Sequence, residues 1–525
     1  MIFHFRPIFL GFLFLAFGIL MMKLFTFDSH LYLVIPLLMF VAYFVVLACS
    51  RIFSEKFFIS LKKSVSYVSV SLVAFGAGIG VFSLVKLEYK VDFVPLESTP
   101  YEITGVMDGN VLSNSKAEYF FLNNVYVFED NQEVHLKRNL RVYVSKELAS
   151  QLDLEQIKSG DQVFFKAYLD MTPVFKTNGI DSFAYKNNFQ HTAYLYSTNV
   201  AFVEGKMDIF DFTKNAVHDL YQKNFDPLYA GFALSVISGD KTELDSEMYS
   251  NFSRVGIAHI VAISGLHVGF LVVMLLWMLK RSRFNRWVKL SIVVGVLSVY
   301  AIFCGASPSV VRASIMAVIL LIGNLFGKQT DSLNSVSLAG VLILLFAPLF
   351  LFDLGFLLSF AGVFGIFFLY PVLKNALKFL HYKWIIKSLA ITLSADIATL
   401  PIIANHFGFI SVVSCISNLV LVPLFGFIFM LLFVLTIICL ILPFLGFLLR
   451  ICQWGLLIIE RGAAYLASLP FASFDYSGFR TGALISYYTG MFCASRYLII
   501  SPKSKIALVS LCYGIFTCFV LFALI

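Results

Sequence analysis

From Phe409 to Leu442 the chain reads FISVVSCISNLVLVPLFGFIFMLLFVLTIICLIL, without one charged side chain. Crossing a hydrocarbon layer of ~30 Å takes about 20 apolar residues, so this run is long enough for one broken helix or two. A run of this kind belongs in a bilayer or at the centre of a very large soluble core. The rest of the chain excludes the core: 59% of its residues are hydrophobic, 13% are charged and the mean hydropathy is +0.86. Soluble domains carry about 25% charged residues, and single cores stop growing beyond roughly 250–300 residues. The chain therefore reads as a polytopic α-helical membrane protein of about 11–13 spans, with one inserted small β-barrel domain.

Outward from that run, apolar segments recur near 257–279, 290–304, 309–327, 333–351, 354–372 and 385–404, then near 481–499 and 506–525. Three more open the chain, near 8–27, 31–49 and 65–87. The first has no A-x-A site after it and reads as an uncleaved anchor. Lys and Arg collect in cytoplasmic loops, so the net charge of +8 reflects topology rather than a nucleic-acid patch. Arg51, Lys56, Lys62 and Lys63 place one loop inside. Lys280, Arg281, Arg283, Arg286 and Lys289 place a second inside, and Lys374, Lys378, Lys383 and Lys387 a third. Arg496, Lys503 and Lys505 follow the same side if 446–468, which carries Arg450, Glu460 and Arg461, lies in the interface as a helix.

Between residues 88 and 205 the texture changes to period-2 alternation, as in Glu118–Phe128, Asn139–Val144 and Gln162–Leu169. Asp108-Gly109, Ser159-Gly160-Asp161 and Asn178-Gly179 supply turn signals. Several short strands in this span predict a small OB-like β-barrel on the extracytoplasmic side. Acidic residues outnumber basic ones there, which argues against electrostatic capture of DNA. Its aromatics, such as Tyr119, Phe120, Phe121, Tyr126 and Phe128, read as a strand core before they read as base-stacking platforms. The domains are thus 1–87, three spans; 88–205, the β domain; 206–255, amphipathic linker helices; 256–470, the membrane core; and 471–525, terminal membrane helices.

Ionisable groups inside spans cost at least ~2.5–3.5 kcal/mol at the bilayer centre and normally face a partner or a wet cavity. The candidates are His259, His267, Arg312, Asp353 and Asp396, with Ser264, Ser359 and Asn418 as polar neighbours. The topology puts most of them in the outer half of the membrane, which predicts a hydrated vestibule with Arg312 paired to Asp396 or Asp353. The alternative is an interhelical polar network that holds the bundle together. Gly256, Gly265 and Gly269 predict a thin or interrupted helix, as in transporters, or close helix packing. No metal site is expected, because His259 and His267 lack a third ligand nearby in sequence. The eight cysteines lie in or beside apolar segments and show no C-x-x-C spacing, so they read as packing residues. No Walker A, H-E-x-x-H or G-x-S-x-G occurs. The expectation is a protein with no catalytic residues and no cofactor.

Two stretches carry a resemblance. Gly239-Asp240 runs through Phe252, and Gly256-Ile-Ala-His259-Ile-Val-Ala-Ile-Ser264-Gly265-Leu266-His267-Val-Gly269 follows. The second is similar to the signature of the ComEC-type competence proteins. Pro308-Ser309-Val-Val-Arg312-Ala313-Ser-Ile-Met316 resembles that family's Arg-Ala helix. Leu333-Asn334 through Pro348 and Asp353-Leu-Gly355-Phe356-Leu-Leu-Ser359-Phe360 resemble its next segments. Asp396 through Leu400-Pro401, Phe407-Gly408, Ser417-Asn418 and Pro423 continue the series. Upstream, Asn178-Gly179-Ile-Asp181-Ser-Phe183-Ala-Tyr185 resembles an NPGGFD stretch with the Pro replaced by Gly179.

The resemblance implies an inner-membrane channel that carries single-stranded DNA into the bacterial cytoplasm during natural transformation. It implies partners in a cytoplasmic helicase-like motor and DNA-binding competence proteins, with Arg312 and the Ser264-to-His267 segment as lining. Many members end in a metallo-β-lactamase-like domain. No H-x-H-x-D-H occurs in this chain, so a short form without nuclease activity is expected, with a separate nuclease for the second strand. A small-molecule transporter using Arg312 and Asp396, or an intramembrane enzyme using His259, Ser264 and His267, are the other readings.

Overall fold

The computed structural model describes residues 7–24, 55–89, 93–96, 99–113, 117–129, 132–152, 154, 157–176, 179–205, 209–325, 332–476, 479, 481–495 and 501–524. The chain divides into two compact units, one built from Leu13–Ala216 with Leu342–Asp353, the other from Met1–Phe12, Val217–Val341 and Leu354–Ile525. The expected span at 31–49 falls outside the described residues. Among the described residues six helices are long and apolar enough to cross a membrane. They are Val70–Glu88, Arg286–Phe303, Leu354–Phe379, Lys383–Phe407, Ser414–Ile441 and Pro443–Ala467, and further apolar helices are shorter. This is a multi-pass membrane architecture.

In the first unit, the Pro7–Leu24 and Glu55–Glu88 helices meet through two glycines. A Cβ on Gly18 would lie 2.4 Å from the Phe75 carbonyl oxygen, and one on Gly78 2.3 Å from that of Leu15. Small residues permit this backbone approach. Lys56, Lys62 and Lys63, expected in a loop, fall within the Glu55–Glu88 helix.

The β region follows, with β1 (Pro100–Ser113), β2 (Ala117–Glu129), β3 (Gln132–His135), β4 (Asn139–Ser145), β5 (Gln162–Met171), β6 (Phe175–Lys176), β7 (Gly179–Ile180) and β8 (Phe189–Val203). The main sheet has six strands in the order β1-β5-β8-β4-β2-β3, and β1 also pairs with β2. The pairings β1–β5, β5–β8, β8–β4, β4–β2 and β2–β1 thus form a ring, in which only β4–β8 is parallel. Alternation sorts the side chains: Val163, Phe165, Ala167 and Leu169 are buried on β5, while Phe164 and Tyr168 are exposed. Of the aromatics expected in the core, Phe120 and Phe121 are buried and Phe128 is exposed.

Asp108-Gly109 is not a turn. It lies inside β1, where the register with β2 shifts between Asp108 and Leu112 and Gly109 takes φ +79°. A positive φ favours Gly, so the signal that marks a turn also marks a bulge. Ser159-Gly160-Asp161 is a turn, with the Asp161 carboxylate accepting from the Lys158 and Gly205 amides at 2.8 and 3.0 Å. Asp181 caps the Ser182–Lys186 helix, accepting from the Ala184 amide at 2.9 Å and pairing with Lys176 at 2.7 Å. Burial raises its pKa, but those two contacts outweigh it and hold the carboxyl below its ordinary range.

The second unit takes up the chain at Val217, within the Ile209–Asn224 helix, which is amphipathic as expected and buries Val217 and Tyr221; Tyr221 Oη shares a 2.6 Å hydrogen bond with Thr436 Oγ1. The next helix, Pro227–Ser238, departs from the amphipathic character expected for the helices of 206–255. Every residue from Tyr229 to Ser238 is buried, because small and apolar side chains surround this helix on all sides, as in a core segment. The run at 409–442 is one helix, Ser414–Ile441, preceded by the short strand β9 (Phe409–Ser411), which pairs with β10 (Ser473–Asp475). Phe427 is 70% exposed and Ile441 73%, the outward apolar face that a lipid-facing helix presents. The segment expected in the interface forms the Leu449–Ala467 helix. It buries Leu449, Cys452, Leu456, Ile459, Ala463 and Ala467 at three- and four-residue spacing, one face packed into the core.

His218 ties the Ile209–Asn224 helix to the loop after the Pro227–Ser238 helix, with Nε2 2.7 Å from Glu243 and Nδ1 3.3 Å from Asp219; Gln222 donates to the same Glu243 at 2.6 Å. Burial lowers the imidazole pKa, but Glu243 and Asp219 more than offset it and the net shift is upward. A raised folded pKa stabilises fully below the unfolded value of about 6.5, and the contribution is lost as pH rises through the folded pKa. With intrinsic exchange rates divided out, amides in residues 217–224 are therefore expected to be better protected at pH 6 than at pH 8. The difference should be an exposed pair's worth, less than about 1 kcal/mol. In His218→Gln this pH dependence should vanish; its persistence would rule the imidazole out.

Candidate functional site

The Ser246–Arg254 helix ends at Val255 and Gly256. Gly256 takes φ +79°, its amide donates to Ser253 O at 3.0 Å, and the Ile257 amide donates to Phe252 O at 2.8 Å. This is the Schellman pattern, which places Gly at the left-handed position. The chain then makes a single 3-10 turn at Ala258–Ile260, bends at Val261 and Ala262, and enters the Gly265–Lys280 helix from an extended Ser264. The span expected at 257–279 is thus interrupted over its first eight residues. A Cβ on Gly269 would meet no atom within 4 Å, and one on Gly265 only Ala313 at 3.4 Å, so these glycines do not serve tight helix packing.

Ser264 begins that helix. Its Oγ accepts from the Leu266 amide, and His267 Nδ1 accepts from the Ser264 amide, each at 3.3 Å, a capping box in which histidine takes the usual Glu position. Because Nδ1 accepts, the neutral ring carries its proton on Nε2. His267 is fully buried, its ring edge-on to Phe425 and Phe429 at 5.3 and 4.9 Å. The Ser264-to-His267 block thus makes the helix start.

The open face of the interruption meets the helices that follow. Ser417 Oγ donates to the Val255 carbonyl at 2.6 Å. Asp396, in the middle of the Lys383–Phe407 helix, accepts from Ser414 Oγ on one oxygen and from Asn418 Nδ2 on the other, both at 3.3 Å. A cavity of about 290 Å³ lies between these elements. His259 and Asp396 line it, with Ser253, Ser411 and Ser414 as further polar groups and Tyr249, Phe407 and Phe409 as aromatic walls. Ser411 Oγ is enclosed and without a hydrogen-bond partner among the described residues.

Of the candidate residues, the structure therefore brings His259, Asp396 and Asn418 to one place. Ser359 donates to the Gly355 carbonyl within its own helix at 2.7 Å. Arg312 is 2% exposed and donates to Ser309 Oγ at 3.3 Å. Asp353 closes the Pro348–Phe352 turn and belongs to the first unit. Sequence reasoning missed Ser411 and Ser414. Their signal was a polar pair within an apolar run, directly after the Gly408 helix stop at φ +74°.

Residues 236–499 match the family model described as Competence protein. The chain belongs to the competence protein family. Every cavity-lining residue of this competence protein falls inside the match. The chain is 32% identical to ComE operon protein 3 of Bacillus subtilis (strain 168) over 202 residues, 38% of this chain and 25% of that protein. It is 29% identical over 217 residues to an uncharacterized protein of Aquifex aeolicus (strain VF5), 40% of this chain and 50% of the relative. It is 26% identical over 208 residues to the uncharacterized protein YcaI of Escherichia coli (strain K12), 36% and 26% of the two chains. The matched stretches thus span half or less of these relatives. No solved structure matches the chain.

Proposed function

We propose that this protein is an inner-membrane channel that carries single-stranded DNA into the cytoplasm during natural transformation, as a transporter and not as an enzyme. One observation carries the reading: the competence match over 236–499 contains both the interrupted segment before Gly265 and the whole cavity lining. An anionic strand cannot cross hydrocarbon unshielded, and broken helices are how membrane proteins expose polar backbone to a pathway. The β region is an OB-like barrel on the extracytoplasmic side; the ring of strand pairings with its one parallel pair supports the barrel, and the basic clusters after Lys280 and around Lys374 support the side. With no ATP-binding motif in the chain, movement draws on a cytoplasmic helicase-like motor and DNA-binding competence proteins, and a separate nuclease removes the second strand.

Cells lacking the gene are expected to bring labelled DNA across their outer layers and fail to deliver it to the cytoplasm. Normal cytoplasmic entry and transformation would overturn the channel. The purified chain with divalent metal ions should leave labelled DNA intact; degradation would overturn the transporter-only reading.

A further inference from the structure

The cavity described above has a composition that a phosphate path would not use. Its charged group is a carboxylate, which repels phosphate, and its walls are mostly apolar and aromatic. Small-molecule sites have this character, an apolar enclosure with a few convergent polar groups, and about 300 Å³ is the lower end of their size range. Such a volume takes one ring system.

The polar groups define which ring. A carboxylate offers about four acceptor positions, two per oxygen. Ser414 and Asn418 occupy one position on each Asp396 oxygen, which leaves one on each for a ligand carrying two adjacent N–H donors. Ser411 also lines the cavity, but its Oγ is enclosed within the protein, so the Asp396 carboxylate is the group that reads the ring. Phe407, Phe409 and Tyr249 add aromatic surface to the lining, the kind of apolar wall that proteins place against a base taken out of its stack.

We propose that this cavity is a subsite for a single unstacked guanine of the translocating strand, with its N1–H and N2–H donors on Asp396. The inference rests on the DNA-channel reading above. Thymine has one ring N–H between two carbonyls, which would face the carboxylate, and lacks the adjacent donor pair.

The test uses the full chain in lipid nanodiscs and two single-stranded probes, a pentathymidylate and the same pentamer with a central guanine. A bidentate base contact discriminates by about 1–3 kcal/mol, so the guanine probe is expected to bind on the order of tenfold tighter. With 6-thioguanine at the centre, photo-crosslinks are expected on residues 249–262 or 396–414. Asp396→Asn should lower guanine-probe affinity toward that of pentathymidylate. Equal binding of both probes, or crosslinks confined elsewhere, would overturn the guanine subsite and leave the channel reading standing. Binding of neither probe would overturn both. The wild-type crosslink map decides the matter even if a variant fails to fold.

Discussion

Gly365→Val is expected to prevent the protein from accumulating in folded form. The Leu354–Ala376 and Lys383–Phe407 helices approach each other at this glycine. A Cβ there would lie 2.3 Å from Ala398 Cβ and 2.6 Å from the Ser394 carbonyl oxygen. Neither atom is the end of a flexible side chain, so relief requires separating the helices. Overpacking of a fixed core typically costs about 1–3 kcal/mol, and a whole-helix displacement belongs at or above the top of that range. That is a large part of a stability of roughly 5–15 kcal/mol. Asp396 lies between Ser394 and Ala398 on the displaced helix, so the cavity would shift with it. Thermal unfolding in detergent measures the effect. A valine variant with the wild-type midpoint would show that the two helices do not meet as described.

Gly256→Val should abolish DNA delivery to the cytoplasm, with a smaller loss for Gly256→Ala. Two penalties coincide. The left-handed φ of +79° costs an L-residue about 1–2 kcal/mol. The added Cβ would also fall 2.7 Å from Ser414 Cβ. Ser414 holds one oxygen of Asp396, so the clash is transmitted directly to the cavity wall. Gly269→Ala is the paired comparison. No atom stands within 4 Å of its Cβ position, and Ala exceeds Gly in helix propensity by about 1 kcal/mol, so this variant should match or exceed wild-type stability and retain delivery. Equal delivery by the Gly256 and Gly269 variants would remove Gly256 from the site's architecture.

Much of the local structure was legible because its causes are local. Gln162–Leu169 alternates apolar and polar residues and becomes β5, buried on one face. Of the three glycines read as marking an interrupted or closely packed helix, Gly256 stands at the break before Gly265, while Gly265 and Gly269 lie in the unbroken helix that follows. Where a local signal has two physical solutions, it misled. Asp108-Gly109 serves a bulge as well as a turn. For the segment of Arg450, Glu460 and Arg461, read as interfacial, the structure adds which face packs: Glu460 and Arg461 approach each other at 3.5 Å and lie off the buried stripe of their helix. Composition averages such a helix over its faces; packing selects one.

The sequence alone determined the membrane class, because a charge-free run from Phe409 to Leu442 fits a bilayer or a very large soluble core, and a chain with 13% charged residues excludes the core. It also determined the alternating strands, the helix stops and the family. Only the tertiary structure decided which polar groups meet. His267 and His259 are eight residues apart, yet one is sealed behind Phe425 and Phe429 while the other lines the cavity. Asp396 meets Ser414 and Asn418 from the next helix. Those encounters depend on how helices cross and where each one starts, and such geometry is set by the shapes of distant side chains packed together, which no local pattern encodes.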